Sequence, residues 1–159
     1  MNIDTRSVLP LRLVMIALFG VLLVLQFLSF PGQFAYMAET NPQDAYLRWP
    51  LTAMVMFLIL CAEVIIVSTW RLLGYVQDGR IFTKASFVWV DAIVWAIGAA
   101  WVVITAVFVW FGSQADDPGG PMLMFFIVLV IAVVGLLMVV MRALLRQATA
   151  LRTDMEAVI

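Results

Sequence analysis

Four long apolar runs restrict what this chain can fold into. They cover residues 13–30, 51–73, 86–112 and 122–141 of a chain of 159 residues. Each has about the 20 residues that a helix needs to cross a bilayer. Of all residues 65% are hydrophobic and 12% are charged, whereas a soluble domain is typically about 45–50% apolar and about 25% charged. The sequence therefore predicts an all-α, four-helix transmembrane bundle, with residues 1–159 forming a single integral membrane domain.

The segments between the runs contain turn and cap residues. Phe30-Pro31-Gly32 predicts the end of the first helix. We expect that helix to be retained, because its run is longer than the roughly 7–15 residues of a signal peptide core. Asn41 followed by Pro42 predicts a short surface helix that reaches about Trp49. Residues 113–121 predict a turn, and residues 142–159 form a charged tail.

Basic residues are distributed unevenly between the loops. If both termini face the cytoplasm, the outer loops contain only Arg48 out of nine Lys and Arg residues. The inner segments then contain the other eight: Arg6, Arg12, Arg71, Arg80, Lys84, Arg142, Arg146 and Arg152. Inner loops of membrane proteins carry such an excess of Lys and Arg. The sequence predicts a multi-pass protein of the cell membrane with the N-in/C-in topology, in which residues 71–91 form a cytoplasmic loop.

Composition also excludes several kinds of chemistry. The chain has no histidine and one cysteine, Cys61. It therefore contains no intramolecular disulfide, no Cys/His zinc site and no histidine-dependent catalytic triad. We expect no metal, no cofactor, no enzymatic activity and no direct binding to nucleic acid.

Glu63 is the one acidic residue in the second apolar run. It lies about ten residues, or ~15 Å of helix, from the inner end. Because desolvation disfavours a charge at that depth, we expect a neutral acid that donates a hydrogen bond to a neighbouring helix. The alternative is a site for a proton, a cation or a small ligand. Gly98, Ala99 and Ala132 lie at the same depth, where their small size leaves space for a ligand or lets helices approach.

Asp91 lies one to two turns into the third helix. It is a second candidate for an intramembrane site, although a pair with Arg12 or Arg71 would more simply fix the register of the helices. The same helix has alanine at every fourth position, a spacing typical of close helix contact: Ala92, Ala96 and Ala100.

The cytoplasmic loop contains a compact motif, Gly79-Arg80-Ile81-Phe82-Thr83, followed by Ser86. Gly79 supplies a positive φ, and Thr83 is expected to cap the third helix by accepting a backbone N–H. Phe82 is expected to pack against the inner ends of the helices. Turn chemistry alone accounts for the motif, and a ligand-binding loop is the alternative.

With this motif the chain resembles a bacterial family catalogued as domain of unknown function 2975. The resemblance covers nearly the whole length: four membrane helices, a Gly-x-x-Phe-Thr/Ser inner loop and a charged C-terminal tail. It implies no agreed activity. Genes of this family often lie beside a small helix-turn-helix regulator, so the resemblance implies such a regulator as a cytoplasmic partner.

The charged tail has a regular apolar spacing. Intervals of three and four residues separate Met141, Leu144, Ala148, Leu151, Met155 and Val158. This is the spacing of a coiled-coil seam, over only about two and a half heptads. Since no Gly or Pro follows the fourth apolar run, which ends at Met141, the fourth helix is predicted to extend ~25 Å or more into the cytoplasm. We expect the seam to be covered by the 71–91 loop of the same chain, by a second copy of the chain, or by a partner helix.

Two functions fit these features. The first is a non-enzymatic membrane protein that presents its cytoplasmic loop and helical tail to a protein partner, such as a transcriptional regulator. The second is a small transporter or channel with its site at Glu63. Transport needs polar residues on several helices, and the sequence offers few, at scattered depths: Gln26, Ser68, Thr69 and Thr105.

Overall fold

The computed structural model describes residues 5–115 and 117–158, apart from the side chains of residues 5–7, 44 and 156. These residues contain no strand. Their five α-helices are α1 (Thr5–Val24), α2 (Phe30–Thr40), α3 (Arg48–Gln77), α4 (Lys84–Gly112) and α5 (Gly119–Val158). Four stretches are long and apolar enough to cross a membrane: Val8–Thr40, Ala45–Gln77, Lys84–Gly112 and Gly119–Met155. The predicted all-helical class with four potential spans is confirmed.

The first span differs from its prediction at both ends. Its helix begins at Thr5 and does not end at Pro31, because a π-helical segment, Leu25–Ser29, joins α1 directly to α2. In this segment the N–H of Phe30 donates to the carbonyl of Leu25, five residues back. Proline in a regular α-helix clashes with the carbonyl four residues before it. The wider π turn shifts that carbonyl, so the chain stays helical through Pro31.

The predicted surface helix at residues 42–49 is a 3₁₀ segment, Pro42–Leu47, which α3 follows at once. Asn41 precedes this segment but makes no side-chain capping bond. Its backbone N–H instead donates to Met37 at 2.9 Å and closes the end of α2.

Gly79 ends α3 with the predicted positive φ of 67°. The N–H of Gly79 donates to Val76 at 3.2 Å, and the N–H of Arg80 donates to Tyr75 at 2.9 Å. These two bonds form a Schellman motif, in which a left-handed residue lets the last carbonyls of a helix find donors. A short loop then leads directly into α4.

The chain divides into two compact units, residues 1–66 and 67–159. In the second unit, α4 and α5 pack against each other as an antiparallel hairpin. Four kinds of contact fix their register. The rings of Phe108 and Phe125 lie 5.9 Å apart. The indole Nε1 of Trp101 donates to the carbonyl of Val128 at 3.1 Å. Gly135 lies so close to Ile97 that a Cβ added there would be 3.2 Å from its Cγ2. Asp91 and Arg142 form an ion pair.

One face of α5 carries this packing along most of its length. Buried and half-buried side chains on that face recur at intervals of three and four: Pro121, Met124, Val128, Ile131, Gly135, Met138, Arg142, Leu145 and Thr149. Such spacing keeps one stripe of a helix against its neighbour. The face continues past Met141 without a break, so the end of the apolar run is not the end of the packed helix.

We predict that cysteines at Ile97 and Gly135, in a Cys61→Ala background, will form a disulfide on mild oxidation. A Cβ added at Gly135 would lie 3.2 Å from Cγ2 of Ile97, an approach close enough to bring two cysteine sulfur atoms within bonding reach. Cysteine at Leu137 in place of Gly135 is the matched control, because Leu137 is exposed on another side of α5. Band shifts on a non-reducing gel measure the crosslink. Equal crosslinking of both pairs would contradict the register.

Candidate functional site

Asp91 pairs with Arg142, so the predicted pairing with Arg12 or Arg71 was wrong. Nη2 of Arg142 donates to Oδ2 of Asp91 at 2.8 Å, and its Nε lies 2.5 Å from Oδ1. Arg71 instead places its guanidinium over the ring of Trp89, 5.5 Å from the centroid. The packing face of α5 explains why Asp91 pairs with Arg142, because it brings Arg142, the first basic residue after the apolar run, level with Asp91.

This ion pair fixes register and does not resemble a ligand site. Both side chains are about one-third exposed, at 31% and 33%, and each satisfies the charge of the other in a two-point contact. The spacing of the alanines on α4 predicts a face in close contact with a neighbouring helix. In agreement, Ala96 is buried and Ala92 and Ala100 are half-buried.

Ser86 organises the loop between α3 and α4, a role that could not be seen in the sequence. Thr83 occupies the N-cap position of α4 with extended backbone but makes no capping bond. Its hydroxyl donates backwards to the carbonyl of Arg80 at 2.8 Å. Ser86 is fully buried, and its hydroxyl lies within donor reach of the carbonyls of Ile81 and Thr83. The predicted cap by the Thr83 hydroxyl was therefore wrong, and Ser86 holds the loop to the first turn of α4.

Glu63 lies in the middle of α3 and is only 9% exposed. Its Oε1 is buried and has no hydrogen-bond partner within the described part of the chain. The expected hydrogen bond from Glu63 to a neighbouring helix is therefore not present at this oxygen. Among the residues that the structure describes, no group of three or more His, Cys, Asp or Glu is arranged to hold a metal ion.

Small residues open a cleft between α4 and α5. Its volume is about 360 Å³. Gly98, Ala132 and Gly135 line it together with larger apolar side chains, including Trp101. The cleft is thus an apolar feature of the hairpin itself.

The tail seam is exposed. Met141, Leu144, Leu151, Met155 and Val158 lie on the open side of α5, with Val158 88% exposed, and Ala148 is half-buried. The loop between α3 and α4 contacts a different face of the tail, where the guanidinium of Arg152 lies 5.8 Å from the ring centroid of Phe82. The packing face and the seam are offset by one residue, or about 100° around the helix. Self-packing within the second unit therefore leaves the seam open.

These features define a multi-pass membrane protein built from long apolar helices. A family model with the description "Protein of unknown function (DUF2975)" matches residues 32–159. The chain belongs to this family, as its inner-loop motif and four spans predicted. Neither the search of curated proteins nor that of solved structures found a match.

We predict that Asp91→Asn and Arg142→Gln will each lower the stability of the protein by about 1–3 kcal/mol, since each leaves a half-buried charge without its partner. The double variant Asp91→Arg, Arg142→Asp should recover much of the loss, because it restores opposite charges in the same register. Arg146→Gln is the control, because Arg146 is exposed on the same helix. Thermal melting of the detergent-solubilised protein measures all four. A double variant less stable than both single variants would refute the pairing.

Proposed function

We propose that this chain is a non-enzymatic membrane protein that presents its inner loop and the extension of α5 to a protein partner in the cytoplasm. The exposed apolar seam of the tail carries this proposal. The distribution of Lys and Arg residues supports a cytoplasmic location of the tail. The length of α5 supports the extension of the tail beyond the hydrocarbon layer.

α5 is longer than a bilayer requires. Its 40 residues span ~60 Å, about twice the ~30 Å thickness of the hydrocarbon layer. The first charged residue after its apolar run is Arg142, and Arg146 and Arg152 follow within the next ten positions. The part of α5 beyond Met141 therefore lies outside the hydrocarbon layer.

A row of exposed apolar side chains outside the hydrocarbon layer is unfavourable in water. Leu151 and Met155 are 64% and 65% exposed, and the regular spacing joins them into one stripe with Leu144 and Val158. Exposed apolar patches mark protein–protein or membrane interaction sites, and the coiled-coil spacing of this stripe favours the former. The stripe fits the apolar face of another helix, which inserts its own side chains at the same period.

The seam accommodates either a helix of a second copy or a helix of another protein. A helix-turn-helix regulator, which the family resemblance implies, is a cytoplasmic partner of the second kind. The positive-inside rule supports a cytoplasmic seam, since eight of the nine Lys and Arg residues lie on the inner side when both termini face the cytoplasm.

We predict that a cysteine at Ala115 will react with a membrane-impermeant maleimide in intact cells, and that a cysteine at Arg146 will react only after permeabilisation. Both variants carry Cys61→Ala, so that the native thiol does not contribute. Ala115 lies in the loop between α4 and α5, and Arg146 is exposed on the tail. The reverse labelling pattern would contradict the cytoplasmic location of the tail.

We predict that Leu151→Asp will abolish the capture of a partner or dimer by the detergent-extracted protein and leave its melting temperature unchanged. The substitution places a charge in the middle of the seam, on a side chain that is already exposed. Thr153→Asp is the matched control, because it adds the same charge to the opposite, exposed side of the same helix turn. Affinity capture and light scattering measure the assembly. If Leu151→Asp keeps the full assembly, or if the wild type has none, the proposed function fails.

A further inference from the structure

The middle of α3 holds a buried acid, Glu63, whose Oε1 has no hydrogen-bond partner among the residues that the structure describes. Glu63 has fifteen helical residues before it and fourteen after it in Arg48–Gln77, so ~22 Å of helix separates it from either end. Its neighbours Ile59 and Cys61 are buried as well. A carboxyl group at this position lies far from both water phases if α3 crosses the bilayer.

An isolated acid in such a place requires an explanation. A buried acceptor without a partner costs about 1–3 kcal/mol, and more if it is charged. Buried charges in proteins are therefore paired or bound to an ion. Within residues 1–66, the basic side chains that the structure describes are Arg12 and Arg48. Arg48 is the first residue of α3, fifteen positions before Glu63, and its guanidinium lies over the ring of Trp49. Arg12 precedes the first apolar run.

The same unit offers a second acceptor. Oε1 of Gln26 is also buried and has no partner within the described residues. Gln26 belongs to the π-helical segment Leu25–Ser29, and π turns inside helices are frequent at functional sites. Two unsatisfied acceptor oxygens in the apolar part of one unit favour a positively charged ligand over a negative one.

We propose that Glu63 is the anionic group of an intramembrane site for an exchangeable sodium ion. One carboxylate balances one positive charge, whereas protein sites for divalent cations use several carboxylates. Intramembrane acids commonly mark proton and ion pathways. This site is independent of the tail seam, so a failure of either proposal leaves the other standing.

The test uses dicyclohexylcarbodiimide, a membrane-soluble reagent that adds to a protonated carboxyl group in an apolar environment. The full-length protein in liposomes is treated with the reagent, and peptide mass spectrometry measures the rate of modification at Glu63. The reaction is run at one pH in sodium chloride and in choline chloride of equal ionic strength.

Two controls separate the site from general effects. Glu63→Gln should remove the modified peptide and keep the protein folded, because glutamine preserves the shape of the side chain. Glu39→Gln makes the same chemical change at an exposed position of the same unit and should leave the modification of Glu63 unaltered. Melting temperatures of both variants verify that each is folded.

A sodium site predicts that modification slows in sodium chloride relative to choline chloride, by about tenfold when the sodium concentration is ten times the dissociation constant. If folded wild-type protein is not modified at Glu63, or is modified at a rate that sodium does not change, the carboxyl binds no exchangeable sodium ion and the proposal is overturned.

Discussion

The packing of α4 against α5 determines the rest of the second unit. A stripe of α5 with intervals of three and four residues lies against α4 from Pro121 to Thr149. Within that stripe Gly135 allows close approach to Ile97, and Arg142 meets Asp91. Since a helix presents a given stripe to only one neighbour, the choice of this face fixes which other side chains of α5 remain exposed.

The exposed seam of the tail follows from that choice. Leu144, Leu151 and Met155 lie one residue away from the packing face and stay open, while Arg152 on the packing side reaches the ring of Phe82. The loop between α3 and α4 therefore contacts the tail without covering its apolar seam. In the first unit, the buried Oε1 of Glu63 has no hydrogen-bond partner among the described residues. The proposed protein-binding surface therefore belongs to one unit and the proposed ion site to the other.

Several elements of the fold could be predicted from the sequence because their signals are local. The length of the apolar runs predicted the four spans, Gly79 predicted the end of α3, and the absence of Gly or Pro after Met141 predicted the continuation of α5. The end of the first helix was misplaced because the π turn before Pro31 has no simple sequence signature. The partner of Asp91 was missed because α5 is apolar on all sides within its span, so that its packing face is not visible in the hydropathy pattern. The role of Ser86 depends on the folded loop, which brings the carbonyl of Ile81 to its hydroxyl.

The central claim is that α5 is one unbroken helix whose packed face and open seam are offset by one residue beyond the membrane. A nitroxide scan of residues 141–158, with one copy of the protein in each lipid nanodisc, tests it most directly. Collision with a water-soluble nickel chelate should vary along the tail with the helical period of about 3.6 residues. The account predicts maxima at Leu144, Leu151 and Met155 and minima at Leu145 and Thr149. Accessibility without a period, or with its minima at the seam, would contradict the account.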